Sequence, residues 1–175
     1  MGRKLKLEEL GRISVDAFKS AEKRPLVVVL DNVRSMHNVG AILRTSDAFL
    51  IQKVYLSGIT PAPPHREIRK TAIGAEESVD WEKVDDTVVL VQQLIADGYE
   101  ILPLEQTEDS ISLSDYVPQG KAIALVVGHE VNGVQQEIID LAEKTLEIPQ
   151  FGTKHSLNVS VAAGISLYNL SQFFS

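Results

Sequence analysis

Apolar positions along the chain follow two alternating rhythms. Residues 26–30 and 122–127 are short unbroken apolar runs rich in β-branched side chains, the pattern of strands buried on both faces. Residues 53–57, 99–104 and 145–148 read as further strands. Between them, helical spacing predicts helices over 39–50, 85–96, 134–142 and 156–173; the second opens on acidic residues and stops at Gly98. Ahead of the first strand, Leu7, Leu10, Ile13, Ala17 and Phe18 predict an amphipathic helix over 6–22. The proline-rich stretch 60–65 reads as a stiff loop. Strands and helices alternate, so the expected fold class is α/β, a mainly parallel sheet flanked by helices on both sides. No repeat or linker divides it. Residues 1–24 are expected to form a helical extension and 25–175 one domain.

Composition narrows the chemistry. There is no cysteine, which excludes disulfides, thiolate nucleophiles and Cys-based metal sites. The four histidines show no zinc-enzyme spacing, and neither a P-loop nor a Gly-x-Gly-x-x-Gly turn occurs. No metal is implied. The charged N-terminus lacks the apolar core of a secretory signal, and no run is long enough to span a membrane. A soluble, cytoplasmic protein without membrane contact is expected.

The net charge of −7 argues against a generic nucleic-acid binder, but its distribution is uneven. Residues 1–75 carry +6, residues 76–109 carry −10 and the remainder −3. The basic part holds two dense clusters, Arg3, Lys4, Lys6 and Arg66, Arg69, Lys70. Either could meet phosphates, and either could equally be solvated surface.

In open α/β sheets, ligands sit at the carboxyl ends of the strands, so the loops there are the place to seek a site. The first contains Asn38, Gly40 and Arg44; taken alone, it reads as a helix capped by Asn38 with a surface arginine. The second runs from Gly128 through Glu130 to Gly133, where glycines let backbone approach a ligand and Glu130 could orient a cation. A tight strand-to-helix turn explains it as well. The third runs from Ile148 to Ser160, with Ser156 expected to cap the last helix and Asn158 in its first turn.

Together the three loops carry more than each alone. Asn-x-Gly-x-x-x-Arg, then Gly-x-Glu-x-x-Gly, then Ile-Pro ending in Ser-Leu-Asn-Val-Ser resembles the motif series of the SpoU-TrmH family in the SPOUT superfamily. Here these are Asn38, Gly40, Arg44; Gly128, Glu130, Gly133; and Ile148, Pro149, Gly152, Ser156, Leu157, Asn158, Val159, Ser160. The resemblance covers about residues 25–174. It implies an S-adenosylmethionine-dependent RNA methyltransferase acting on a ribose 2′-hydroxyl of tRNA or rRNA, with tRNA favoured. It further implies a C-terminal deep trefoil knot, an exception to the rule against knotted chains, and a homodimer. Residues 25–175 would then be the SPOUT methyltransferase domain.

By the same resemblance, Arg44 activates the ribose hydroxyl, as base or as electrostatic stabiliser. Asn38, Glu130, Ser156 and Asn158 orient it. The cofactor contacts Leu104, Glu105, Gly128, Glu130, Gly133, Ile148, Ser156 and Leu157. Arg66, Arg69 and Lys70 are the candidate RNA contacts. About 25 residues precede the first strand, where larger family members carry a separate RNA-binding domain. Recognition is therefore expected to rest on the core, the basic N-terminal helix and the dimer. Two rival readings remain: an RNA-binding adaptor on the same fold, and a nucleotide-binding α/β enzyme of other chemistry. Asn38, Arg44, Glu130, Ser156 and Asn158 together speak against the first, and the missing phosphate cradle against the second.

Overall fold

The computed structural model describes residues 2–174. Five parallel strands form one sheet: β1 (Arg24–Asp31), β2 (Ile51–Ser57), β3 (Trp81–Val84), β4 (Glu100–Pro103) and β6 (Ile123–Val127), in the order β3-β2-β1-β6-β4. Of the three inner strands, β1 and β6 are the two whose sequences are apolar without alternation. Leu26, Val28 and Leu30 of β1 face one core, and Val27 and Val29 face the other. Burial of each such side chain contributes roughly 1.5–3 kcal/mol.

On the first face lie α2 (Met36–Ala48) and α7 (Val159–Ser171), supplying Val39, Ile42, Leu43, Ala163, Leu167 and Leu170. On the second lie α5 (Thr87–Ala96) and α6 (Gln136–Leu141), supplying Leu90, Val91, Leu94 and Ile138. The expected mainly parallel sheet between two helical layers is therefore present.

Several local expectations give way. The helix expected over 6–22 is two pieces, a 3-10 turn at Leu7–Leu10 and α1 (Val15–Ser20), with Ser14 capping the second. Of their side chains only Phe18 is buried, so no continuous apolar face holds one helix on the body. The strand β1 begins at Arg24, inside the residues expected to be extension. Residues 66–84, over which no element is predicted, form α3 (Arg66–Ala72), α4 (Ala75–Ser78) and the edge strand β3. The strand expected over 145–148 does not join the main sheet. Its observed part, β7 (Leu146–Glu147), pairs in parallel with β5 (Ile111–Ser112).

Chain order changes direction between β1 and β6. From β1 the sheet grows outward through β2 and β3, and on the other side through β6 and β4. Such a switch point opens a crevice at the carboxyl ends of the strands. The loops after β1 and β6 meet there.

Candidate active site

The loop after β6 is closed on itself. The His129 amide donates to the Gly133 carbonyl at 3.0 Å, and the Gly133 amide to the His129 carbonyl at 2.9 Å. A Cβ on Gly128 would fall inside the van der Waals radii of the Gly133 carbonyl and the Val134 nitrogen. Gly133 has φ +69, where L side chains are strained, and its missing Cβ leaves room for the Glu105 carboxylate. That carboxylate accepts from the Val134 amide at 3.1 Å and the Gln106 amide at 2.8 Å. Glu105 thus holds the loop after β6 to the loop after β4.

Glu130 ties the same loop to α2. Its carboxylate accepts from the backbone amides of Arg34 at 3.0 Å and Ser35 at 2.9 Å, and from Asn38 Nδ2 at 3.0 Å. The Asn38 carbonyl oxygen in turn accepts from Asn158 Nδ2 at 3.1 Å. The Asn158 carbonyl oxygen accepts from the Ser160 amide at 2.9 Å and the Val161 amide at 3.4 Å. One line of hydrogen bonds, Glu130–Asn38–Asn158, therefore joins the three motif loops across more than a hundred residues of sequence.

Two cap assignments are corrected by this geometry. Ser35, not Asn38, caps α2, accepting from the Asn38 amide. Asn158, not Ser156, caps α7. The reasons differ: Ser35 takes the cap of α2 and leaves Asn38 free for the line, whereas Asn158 does both, capping α7 through its side-chain oxygen and donating to Asn38 through Nδ2. Among the described residues Glu130 forms no ion pair with a basic side chain. It accepts from amides at the start of α2, where a helix dipole favours negative charge.

Burial opposes ionisation of Glu130, but the amides of Arg34 and Ser35, its own amide and Asn38 outweigh it and lower its pKa from 4.5 to about 2. A carboxylate with a depressed folded pKa stabilises above its unfolded value and loses that contribution as pH falls through the folded one. This stabilisation, of order 3 kcal/mol at most, is complete above pH 4.5 and fades toward pH 2. Urea unfolding of Glu130→Gln should therefore show a large deficit against wild type at pH 7 that shrinks below pH 4.5. A deficit that does not change with pH would contradict this role.

A cleft of about 1110 Å³ opens beside these loops, at the carboxyl ends of β4, β6 and β7. Leu104, Glu105, Gly128, Glu130, Gly133, Ile148, Ser156 and Leu157 all line it, as does Asn158. Glu108 and Asp109 add further carboxylates. The volume, the close-packed glycine backbone and the acidic wall suit an adenosine-containing ligand bearing a positive charge.

Arg44 and Asn38 are not among the lining residues. Asn38 is 8% exposed and reaches the cleft through its two partners. Arg44 lies about 9 Å further along the α2 axis, on an exposed face. Among the described residues the arginines held in ion pairs are Arg3 and Arg69, so the Arg44 guanidinium is not committed to a carboxylate. Ser156 and Leu157 are exposed at the rim.

Arg66, Arg69 and Lys70 share α3, the helix packed across α2. Arg69 is 72% exposed and pairs with Glu76 at 3.3 Å and Glu77 at 3.1 Å. Lys70 pairs with Glu67 at 2.7 Å. Two of the three cations thus already have partners, which cation density in the sequence did not reveal. Sequence reasoning also passed over Asp31 and Gln135, whose only signal was a carboxylate closing an apolar run.

The fold and cleft define an open parallel α/β domain with a ligand site at its switch point. The profile of the SpoU rRNA Methylase family matches residues 25–168, and the chain belongs to that family. It is 36% identical over 152 residues to a tRNA (guanosine(18)-2′-O)-methyltransferase of Aquifex aeolicus, covering 83% of this chain and 68% of that protein. It is 30% identical over 152 residues to a 23S rRNA (guanosine-2′-O-)-methyltransferase of Neisseria meningitidis serogroup B, covering 87% of this chain and 60% of that protein. The crystal structure of the A. aeolicus TrmH/SpoU tRNA modifying enzyme superposes with a TM-score of 0.79 at 33% identity, covering 91% of this chain and 79% of that one. An AdoMet-bound rRNA methyltransferase from Sinorhizobium meliloti superposes with a TM-score of 0.81 at 26% identity, covering 94% and 62%.

Proposed function

We propose that this chain is an S-adenosylmethionine-dependent RNA methyltransferase that modifies a ribose 2′-hydroxyl of tRNA or rRNA, with tRNA favoured. The observation that carries the reading is the Glu130–Asn38–Asn158 line, which binds all three motif loops to one another beside a cleft of about 1110 Å³. The named relatives support it: they methylate guanosine 2′-oxygens of tRNA and 23S rRNA, and one similar structure holds AdoMet.

S-adenosylmethionine, when bound, supplies an activated methyl group on a sulfonium. Backbone at Leu104, Gly128, Gly133, Ile148 and Leu157 would hold it, with Glu105, Glu130 and Ser156 around it. The chain's own task is then positioning and charge stabilisation. Asn38 and Asn158 fix the ribose side of the cleft, and Glu130 fixes the start of the helix that carries Arg44. Arginine is a permanent cation. The role that suits Arg44 is to grip the neighbouring phosphate and stabilise negative charge growing on the 2′-oxygen.

The reading includes a homodimer. Val161, Ile165 and Tyr168 point outward from α7 at i, i+4 and i+7, with Tyr168 59% exposed, beside the helix that carries Arg44. An apolar stripe of that kind is what a second copy would cover. The reading also includes the C-terminal trefoil knot, supported by the hold of the final segment on earlier loops. Gln106 Nε2 donates to the His155 carbonyl at 2.8 Å, and Asn158 bonds Asn38. A cytoplasmic location and independence from metal complete the reading; among the described residues no helix is long and apolar enough to cross a membrane.

The test is calorimetry with S-adenosylmethionine and no added metal, followed by nucleoside mass spectrometry of tRNA and rRNA incubated with the protein. Saturable binding and a new 2′-O-methylated nucleoside are expected. Binding without any methylated nucleoside in either RNA would leave an adaptor, and no binding would remove the enzyme reading.

RNA contact by α3 has its own test. Exposed ion pairs are worth about 0–1 kcal/mol, so phosphates can draw Arg69 and Lys70 away from their carboxylates. Replacing Arg66, Arg69 and Lys70 by alanine should lower the salt slope of RNA binding by ~0.9 for each phosphate no longer neutralised. Because two of the cations must first leave a partner, a drop nearer one phosphate's worth than three is expected. An unchanged slope returns all three to solvated surface.

A further inference from the structure

Asp31 is the last residue of β1 and is fully buried. A carboxylate so placed is costly unless every lone pair finds a donor. Among the described residues no lysine, arginine or histidine forms an ion pair with it. Four donors serve instead. Oδ1 accepts from Asn32 Nδ2 at 2.9 Å, Thr87 Oγ1 at 2.8 Å and Gln135 Nε2 at 2.6 Å. Oδ2 accepts from the Gln135 amide at 2.9 Å. Because the Thr87 hydroxyl proton is spent on Asp31, Ser57 Oγ donates to Thr87 at 2.7 Å.

Two of the four donors belong to Gln135. This residue stands at the N-cap of α6, yet its side chain makes no capping bond. It is turned to Asp31 instead. Gln135 also follows directly on Gly133 and Val134, the return limb of the cleft loop, where the Val134 amide is held by Glu105. The segment is thus hung between two carboxylates, Glu105 at the cleft and Asp31 at the end of β1. The carboxylate Asp31 is positioned in its turn. Asn32 sits in the left-handed region at φ 57, and its carbonyl oxygen accepts from the Ile59 amide at 3.1 Å.

We infer that Asp31 is a positioning residue for cofactor binding: through Gln135 it sets where the Gly128–Gly133 loop stands, and so the shape of the cleft wall. The inference rests on the cleft being the cofactor site. Asp31 itself lies outside the cleft lining, so its effect must pass through the loop.

Asp31→Asn keeps the shape but turns an amide group toward donors. Losing one hydrogen bond to a charged acceptor corresponds to roughly tenfold or more in an equilibrium constant. The dissociation constant for S-adenosylmethionine, read by calorimetry, should rise by at least about that factor. Amide exchange at Val134 and Gln135 should quicken. The kcat at saturating cofactor and the KM for RNA should stay close to wild type. Asp31→Asn with Gln135→Glu exchanges donor and acceptor. The side-chain amide introduced at position 31 can accept the backbone amide of position 135 through its oxygen, and donate through its nitrogen to the carboxylate introduced there. Thr87 can turn its hydroxyl to accept from that nitrogen while Asn32 Nδ2 loses its acceptor, so this double variant should regain part of the lost affinity.

If Asp31→Asn does not fold, Gln135→Leu removes one donor and spares the backbone bond; it should weaken cofactor binding and quicken exchange at Val134. Ile68→Val, in the opposite core, controls for general loosening. Wild-type cofactor affinity in a folded Asp31→Asn or Gln135→Leu protein overturns the inference. So does a double variant no better than the single, or an equal loss in an Ile68→Val protein of matched thermal stability. If the wild type itself binds no cofactor, the proposed function fails instead, and amide exchange at Val134 alone still reports whether Asp31 holds the loop.

Discussion

Arg44→Ala is expected to lower kcat by ~10²–10³-fold, the usual consequence of losing one preorganised charge stabiliser, while cofactor affinity stays near wild type. The structure explains why the two should separate. Arg44 is not part of the cleft lining, so its removal leaves the cofactor wall intact. It projects from an exposed face of α2, and replacement by alanine should alter stability by less than about 1 kcal/mol. A rate loss in a protein of unchanged thermal stability would then report on the reacting groups alone. Arg44→Lys divides the two ways a cation can act. Lysine keeps the charge but lacks the planar fork that can hold a phosphate and the ribose oxygen together, so it should not restore the rate. Near-wild-type turnover by Arg44→Lys would reduce the role to a point charge. Near-wild-type turnover by Arg44→Ala would make it a surface arginine, whatever the motif implies.

Much of the fold was legible because β1 and β6 are apolar without alternation, which only strands covered on both sides require. The elements that escaped were those whose local signal is weak or contradicted. Trp81–Val84 alternates poorly and holds two charged residues, since an edge strand needs only one covered face. Residues 66–78 follow a proline-rich stretch and are densely charged, yet Ile68, Ala72 and Ala75 bury enough to keep two short helices in place. The strands β5 and β7 are two residues each, and their pairing is a tertiary fact.

The site divides in the same way. The family resemblance named eight residues for the cofactor, and all eight line the cleft; six stand in the motif loops, while Leu104 and Glu105 follow β4 and lie in no motif. The partners of those residues were not readable. Helix caps were assigned to the nearest asparagine and serine, but Asn38 and Asn158 are bound to each other between two helices on the same face of the sheet. That contact joins residues far apart in sequence, and nothing local to either one signals it. Cation density suggested Arg69 and Lys70 as free phosphate contacts, while the carboxylates that hold them lie on short helices the sequence did not announce.

The motif glycines Gly128 and Gly152 are not equivalent, and the second large effect follows from the difference. At Gly152 a Cβ would meet nothing within 4 Å, so Gly152→Ala should leave stability and cofactor binding nearly unchanged. At Gly128 it would collide with the Gly133 carbonyl and the Val134 nitrogen, all of it backbone. No rotamer change can relieve such a clash. The loop must open, breaking the paired bonds between His129 and Gly133 and shifting Glu130 from the amides of Arg34 and Ser35. Overpacking of this kind costs about 1–3 kcal/mol, which for a chain of this size corresponds to a fall in Tm of roughly 2–12 °C. The cofactor wall moves with the loop, and if binding must restore it at that same cost of about 1–3 kcal/mol, S-adenosylmethionine affinity should fall by roughly 5- to 150-fold. Thermal unfolding and calorimetry on Gly128→Ala and Gly152→Ala, side by side, read both effects. A folded Gly128→Ala protein that binds cofactor as wild type does would mean that the loop after β6 does not form the wall of the cofactor site.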